Sequence, residues 1–234
     1  MQETFLIIDT ETTKEGKNMP NQSVFDIGWT ISNRSGEILA TRSYIVEQFR
    51  LQALEKKKAF LIDSDIVDKA TYITKILNRE MKVASWSAIM GQLTKDCKKY
   101  NVGFIGAYNL GFDTNVINKT HFYFTEKIVE LFETTYLIDL YHACAYTILS
   151  TQKYRTFAEK HNLKTDKGNL KTSAEATFRF ITNDNTYIEE HTAFQDSLDE
   201  TKILHYLLNN ADIPLQAWTI NSQAWRIVNP KKEE

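Results

Sequence analysis

The chain has 234 residues and a mass of 27.1 kDa, enough for one substantial domain and too little for two large ones. Hydrophobic residues at 42% and charged residues at 25% match a globular composition and exclude disordered, collagen-like and coiled-coil chains. With 28 Lys+Arg against 30 Asp+Glu the net charge is −2, so no broad basic surface marks a nucleic-acid binder, and an anionic ligand would be held locally, by metal ions or a small patch.

Met1 to Thr4 carries no basic segment, and the apolar run Phe5 to Ile8 behind it is shorter than a signal peptide requires. No stretch approaches the roughly 18 apolar residues of a membrane span. Cys97 and Cys144 fit neither a disulfide framework nor a CxxC site, so the expected setting is reducing, cytoplasmic and without a membrane.

Thr4 to Asp9 reads as a strand, followed by Val24 to Ser32 and Ile38 to Val46, the last two joined by the turn sequence Asn33-Arg34-Ser35-Gly36. From Leu51 to Tyr100 the pattern becomes helical. Ser85 opens a stretch in which Ile89, Leu93 and Cys97 recur every four residues and share a face. Val102 to Tyr108 predicts a short buried strand, Gly111 a helix start, and Tyr136 to Leu140 a further strand. This order predicts an α/β fold with a mixed sheet flanked by helices.

Residues 151–171 hold Lys153, Arg155, Lys160, Lys164, Lys167 and Lys171 against Glu159 and Asp166, a local charge of +4. Two readings stay open: a pair of solvated helix faces with a loop around Gly168, or a rim that contacts nucleic acid. After Pro214, Trp218 and Trp225 are expected to pack back onto the domain.

Several acids fall where chemistry is expected. Asp9 and Glu11 sit two apart at the end of the first strand, so both project from one face in line with Phe5 and Ile7. Like charges that close call for a cation or a shared proton, although strands also end in acids for solubility. Asp113 follows Asn109-Leu110-Gly111-Phe112 at a strand-to-helix turn, on the face of Val116 and Ile117; it reads either as an inward-facing acid or as a helix cap. Asp196 lies on the stripe Ala193, Asp196, Glu200, Ile203 and Leu207, while His191 stands at or before that helix. A histidine there suits a general base, since its unperturbed pKa is about 6.5.

Jointly, Asp9-Thr10-Glu11-Thr12-Thr13, Asn109 to Asp113 and His191-x-Ala193-x-x-Asp196 resemble the three motifs of the DEDD superfamily of 3′→5′ exonucleases, in the branch with a histidine in its third motif. That group includes the proofreading subunit of bacterial DNA polymerase III. The stretches Asn169 to Glu175 and Glu189 to Ala193 look most like stand-alone exonucleases of phage type. One departure is visible: Lys14 stands where many members have a glycine, which here is delayed to Gly16.

The resemblance implies a ribonuclease H-like fold with a five-stranded mixed sheet, spanning about residues 1–210, with 211–234 as a tail. It implies two divalent cations held by Asp9, Glu11, Asp113 and Asp196, with Asp9 shared. Magnesium is expected, with manganese as a substitute, because the ligands are all oxygen. It further implies His191 as general base, Thr12 and Thr13 as contacts to the terminal nucleotide, and Asn109 as an orienting group. The substrate would be the 3′ end of a single-stranded nucleic acid, cut to nucleoside 5′-monophosphates, with a replication or repair protein as a partner. DNA is the favoured substrate. The alternatives are an exoribonuclease, a ribonuclease H-type endonuclease, and a silent binding module of the same fold.

Overall fold

The computed structural model describes residues 3–13, 22–48, 69–212 and 214–230. The loop with Lys14 and Gly16 and the first part of the expected helical region, residues 51–68, lie outside these. One mixed sheet is built from β1 (Thr4–Thr12), β2 (Val24–Asn33), β3 (Ile38–Val46), β4 (Lys82–Ala84), β5 (Phe104–Ala107) and β6 (Tyr136–Asp139). Their order is β4-β3-β2-β1-β5-β6. The pairs β1–β2 and β2–β3 are antiparallel, and the remaining three pairs are parallel.

The sheet thus has six strands where five were expected. The extra one, β4, is a three-residue segment inside a region read as helical throughout, too short for alternation to show. It pairs with Tyr44 to Val46 at the edge of the sheet. The turn at Asn33 is as expected: its Oδ1 accepts from the backbone N–H groups of Ser35 and Glu37, both at 3.1 Å.

Helices cover both faces. They are α1 (Lys69–Leu77), α2 (Trp86–Lys99), α3 (Leu110–Thr125), α4 (Leu131–Thr134), α5 (Leu140–Cys144, continued as a wider π turn over Ala145–Leu149), α6 (Gln152–Lys160), α7 (Ala174–Thr182), α8 (Ala193–Asn210) and α9 (Trp225–Val228). Ser85 caps α2, its side chain accepting from the Ala88 N–H. The period of two along β1 divides the core. Leu6 and Ile8 join Ile89, Leu93, Val116 and Ile117 on one side of the sheet. Phe5 and Ile7 join Leu140, Tyr154, Ile203, Leu204 and Leu207 on the other.

The seating of α8 places the acids of the third motif. On β2, Asp26, Gly28, Thr30 and Ser32 share one face, and each meets α8. Asp26 accepts from the Ala193 N–H at 3.1 Å, the Thr30 and Ser197 hydroxyls lie 3.1 Å apart, and His205 Nε2 is 3.0 Å from the Ser32 hydroxyl. A Cβ at Gly28 would stand 2.2 Å from the Ala193 carbonyl oxygen, so only glycine lets the start of α8 approach the sheet this closely.

The tail splits the expectation for its two tryptophans. Trp218 is buried with Leu215, Ala224 and Val228 in the second core, and its carbonyl accepts the Asp139 N–H at 2.7 Å. Trp225 keeps 36% of its surface exposed. Residues 151–171 form one helix, α6, and then a loop turned at Gly168, which has φ +77°. Both cysteines are free and buried. Among the described residues no helix is long and apolar enough to cross a membrane.

Candidate active site

Acidic side chains converge where β1 ends between its two helical layers. Asp9 and Glu11 project on the α8 side, in register with Gly28 and Asp26 of β2. Thr10 projects to the opposite side, where its hydroxyl donates to Asp113 Oδ1 at 2.7 Å. Asp113 lies in the first turn of α3, which follows β5 directly and begins at Asn109 in a left-handed conformation, φ 72°. The backbone N–H of Asn109 donates to Asp139 Oδ1 at 3.2 Å, which fixes the turn from beneath. Asp113, Val116 and Ile117 are buried together, as their spacing predicts.

From α8 come Asp196 and, one turn on, Glu200, both buried. Thr192 caps this helix, accepting from the Gln195 N–H at 3.4 Å. His191 precedes the cap with φ 55°, a conformation that few non-glycine residues adopt and that marks a position constrained by its surroundings. One ligand atom each from Glu11, His191 and Asp196 lie within 4.8 Å of one another. His191 Nδ1 is also 3.7 Å from Glu189 Oε2.

These groups open onto a cleft of about 780 Å³ lined by Asp9, Glu11, Asn109, His191, Asp196 and Glu200, among others, with Lys171 as its one lysine. Three expected residues stand apart from this lining: Asp113, buried behind it on the Thr10 hydroxyl, and Thr12 and Thr13. The Thr13 backbone N–H donates to the Ser23 carbonyl at 2.8 Å, while its buried hydroxyl accepts from the Ser23 N–H at 3.3 Å; Thr12 is half-buried and outside the lining.

Burial and mutual repulsion hold the acids of the cluster toward their neutral forms. Burial and then repulsion from Glu200, Asp113, Asp196 and Glu11 push Asp9 well above the usual carboxylate range. Burial first, then Asp26, Glu189 and Asp113, lift Glu11 to about 8. Burial, followed by Glu189 and Glu11, lifts Asp196 to about 9. Asp113 rises to about 7, its burial opposed by the Thr10 hydrogen bond. Asp9 Oδ2 and Asp196 Oδ1 are buried with no hydrogen-bond partner among the described residues. Oxygens orphaned in this way, in a donor set of carboxylates with one imidazole beside them, fit a hard divalent cation such as magnesium or manganese.

Residues outside the expected set belong to the same cluster. Glu200 repels Asp9 more strongly than any other charge does, and its Oε2 accepts the Tyr108 N–H at 2.9 Å. Its signal was its place four residues after Asp196 on the same stripe. Glu189, lifted to about 7 chiefly by burial, begins the stretch Glu189 to Ala193 that precedes α8, whereas Asp26, lifted to about 7 by burial, carries no spacing signal, because only the folded chain brings it to the β1 end.

No protein-family model matches the chain, and no curated protein sequence matches it. Solved structures do. The nuclease domain of 3′hExo, described as a DEDDh family member and bound to rAMP, is 13% identical with a TM-score of 0.54, covering 94% of this chain and 97% of that one. Cell-death related nuclease 4 is 14% identical with a TM-score of 0.56, covering 89% of this chain and 64% of that one. Exonuclease I in complex with an inhibitor is 12% identical with a TM-score of 0.53, covering 90% of this chain and 42% of that one. At such identities the likeness establishes the fold, a ribonuclease H-like α/β architecture shared with DEDDh exonucleases. The class defined is therefore an α/β protein of that fold with an acidic cleft at the end of its central strand.

Proposed function

We propose that the protein is a metal-dependent 3′→5′ exonuclease of the DEDDh type, acting on the 3′ end of single-stranded nucleic acid. The observation that carries this reading is the convergence of Asp9, Glu11, Asp196 and His191 on one cleft end, with Asp113 held behind them by Thr10 and close enough to repel Asp9 and Glu11. The likeness of Asn169 to Glu175 and of Glu189 to Ala193 to stand-alone phage-type exonucleases favours a free-acting domain over about residues 1–210, with 211–234 packed as a tail.

Asp9, Glu11, Asp113 and Asp196 would hold two divalent cations, magnesium in the first instance. Bound there, the cations supply charge neutralisation and lower the pKa of water. Thr10 fixes Asp113 through its hydrogen bond, so that acid meets its partners in one rotamer. His191 takes the proton of the attacking water at one ring nitrogen while Glu189 faces the other, Nδ1. The water oxygen bonds to phosphorus, the P–O3′ bond breaks, and the 3′ oxygen of the shortened strand takes up a proton. The products are a nucleoside 5′-monophosphate and a strand one nucleotide shorter. Asn109, in the lining, would orient the second-motif acid or a water.

Digestion of 5′-labelled single strands of DNA and RNA in parallel, with magnesium or EDTA, tests the reading. A ladder shortening by single nucleotides from the 3′ end, dependent on magnesium and absent on covalently closed circles, is expected. Cleavage of closed circles would instead identify a ribonuclease H-type endonuclease.

A further inference from the structure

We propose that a groove beside the acidic cleft is a base-stacking subsite for the retained part of a single strand, with Trp225 as its platform. This rests on the exonuclease reading and extends it to a binding surface. The groove, about 440 Å³, is lined by Thr165, Asp166, Lys167, Leu170, Trp225 and Asn229, with Thr172. Thr165 and Thr172 also line the cleft, so the two are continuous.

Its walls are fixed before any ligand arrives. Asn229 accepts the Leu170 N–H at 2.8 Å and donates to the Leu170 carbonyl at 3.1 Å, tying the tail to the loop. The Tyr154 hydroxyl donates to the Lys171 carbonyl, and Arg155 donates to the Val228 carbonyl at 3.5 Å. The loop itself closes through Gly168 N–H to Thr165 O and Thr165 N–H to Asn169 O, both 2.8 Å. A preformed wall lowers the ordering cost of binding.

The chemistry of this surface fits a strand. Trp29, Trp86 and Trp218 are buried to within 1% of complete, whereas Trp225 is 36% exposed on the groove. Lys167 shares the lining with it, Arg226 has its guanidinium 5.4 Å from the Trp225 ring centre, Lys171 lines the adjoining cleft, and Lys164 and Arg155 lie on the segments that form the walls, bridged to Leu170 and bonded to Val228. None of these five cations is in an ion pair among the described residues. Asp166 is the one acid in the lining. Aromatic platforms flanked by cations take successive bases without reading sequence. Only one nucleotide lies 3′ of a terminal scissile bond, so a groove leading away from the acids serves the longer, retained side.

The test uses the full chain with calcium replacing magnesium to suppress cleavage, and a fluorescein-labelled ten-residue thymidine strand read by anisotropy, with an unlabelled strand for indole emission. Wild type binds, and its indole emission is quenched as the strand is added. Trp225→Phe keeps binding within a few-fold and loses the quench, because the other three indoles are buried. Trp225→Ala weakens binding roughly 5- to 100-fold, the range for one lost stacked base, and Lys167→Glu weakens it in a salt-dependent way. Quenching that persists in Trp225→Phe, or wild-type affinity in Trp225→Ala, overturns the subsite while leaving the exonuclease reading intact. Absence of any strand binding or digestion by wild type overturns both.

Discussion

The acids of the cleft are buried or half-buried, at a cost that an isolated carboxylate would not repay, since a charged group in a low-dielectric site needs a partner. Asp196 shows the consequence most clearly: it is pushed up to about 9 by burial and by Glu189 and Glu11, and one of its oxygens has no partner among the described residues. Asp196→Asn keeps the shape and removes a charge. The variant is expected to fold, to match or exceed wild-type stability in EDTA, and to lose at least 10³-fold in magnesium-dependent hydrolysis, because cation-assisted charge stabilisation contributes several kcal/mol. Thermal melting and a single-turnover assay check the two halves separately; a melting point well below wild type would make Asp196 a structural residue. For His191 the expectation is graded. His191→Ala should slow turnover by about 10²–10⁴-fold with calorimetric cation binding nearly unchanged, and loss of cation binding would make the imidazole a ligand instead.

At the scale of elements, the site depends on how closely α8 lies on β2. Gly28→Ala places a Cβ 2.2 Å from backbone oxygen, where no flexible side chain can yield. Overpacking of this kind costs about 1–3 kcal/mol, or roughly 2–4 °C of melting temperature per kcal/mol for a chain this long. It should also lower activity by displacing Asp196. Gly91→Ala, in α2 with nothing within 4 Å, is the contrasting case and should stabilise by about 0.5–1 kcal/mol. Equal melting points for the two variants would contradict this seating of α8.

The same elements show what could be read in advance. The strands β1, β2, β3, β5 and β6 and the inward face of Asp113 were legible because alternation and four-residue spacing are properties of adjacent residues. Asp196 and Glu200 share a stripe for the same reason. The edge strand β4 was not legible, because three residues carry no period. The pairing of Thr10 with Asp113, 103 positions apart, and the approach of Asp26 to Ala193 arise only from the strand order. Trp225 differs from Trp218 in exposure although both sit in one tail, since what decides is which core the intervening turn reaches.

For the whole molecule, the acidic cluster links stability to pH in an unusual sense. Asp113, Glu11 and Asp196 stand at about 7, 8 and 9 when folded, against about 4 when unfolded. Between those limits the folded state binds more protons than the unfolded one, so stability falls as pH rises. The melting temperature in EDTA should drop from pH 5 to pH 9. Added magnesium or calcium should recover it at the upper end, by binding only the folded state. Asp196→Asn should flatten the pH dependence. A melting temperature that rises steadily over this range in EDTA would show that the acids are neutralised by some other means.

Under the proposed function, this cleft hydrolyses the terminal phosphodiester by attack of water on phosphorus. Hydrolysis of a short single strand in water enriched in oxygen-18, with the released products resolved by mass spectrometry, tests it most directly. Wild type with magnesium is predicted to release nucleoside 5′-monophosphates from the 3′ end, each carrying one oxygen-18 atom in its phosphate, with no release in EDTA or by Asp196→Asn. Release of nucleoside 3′-monophosphates, products without the label, or undiminished release by Asp196→Asn would contradict it.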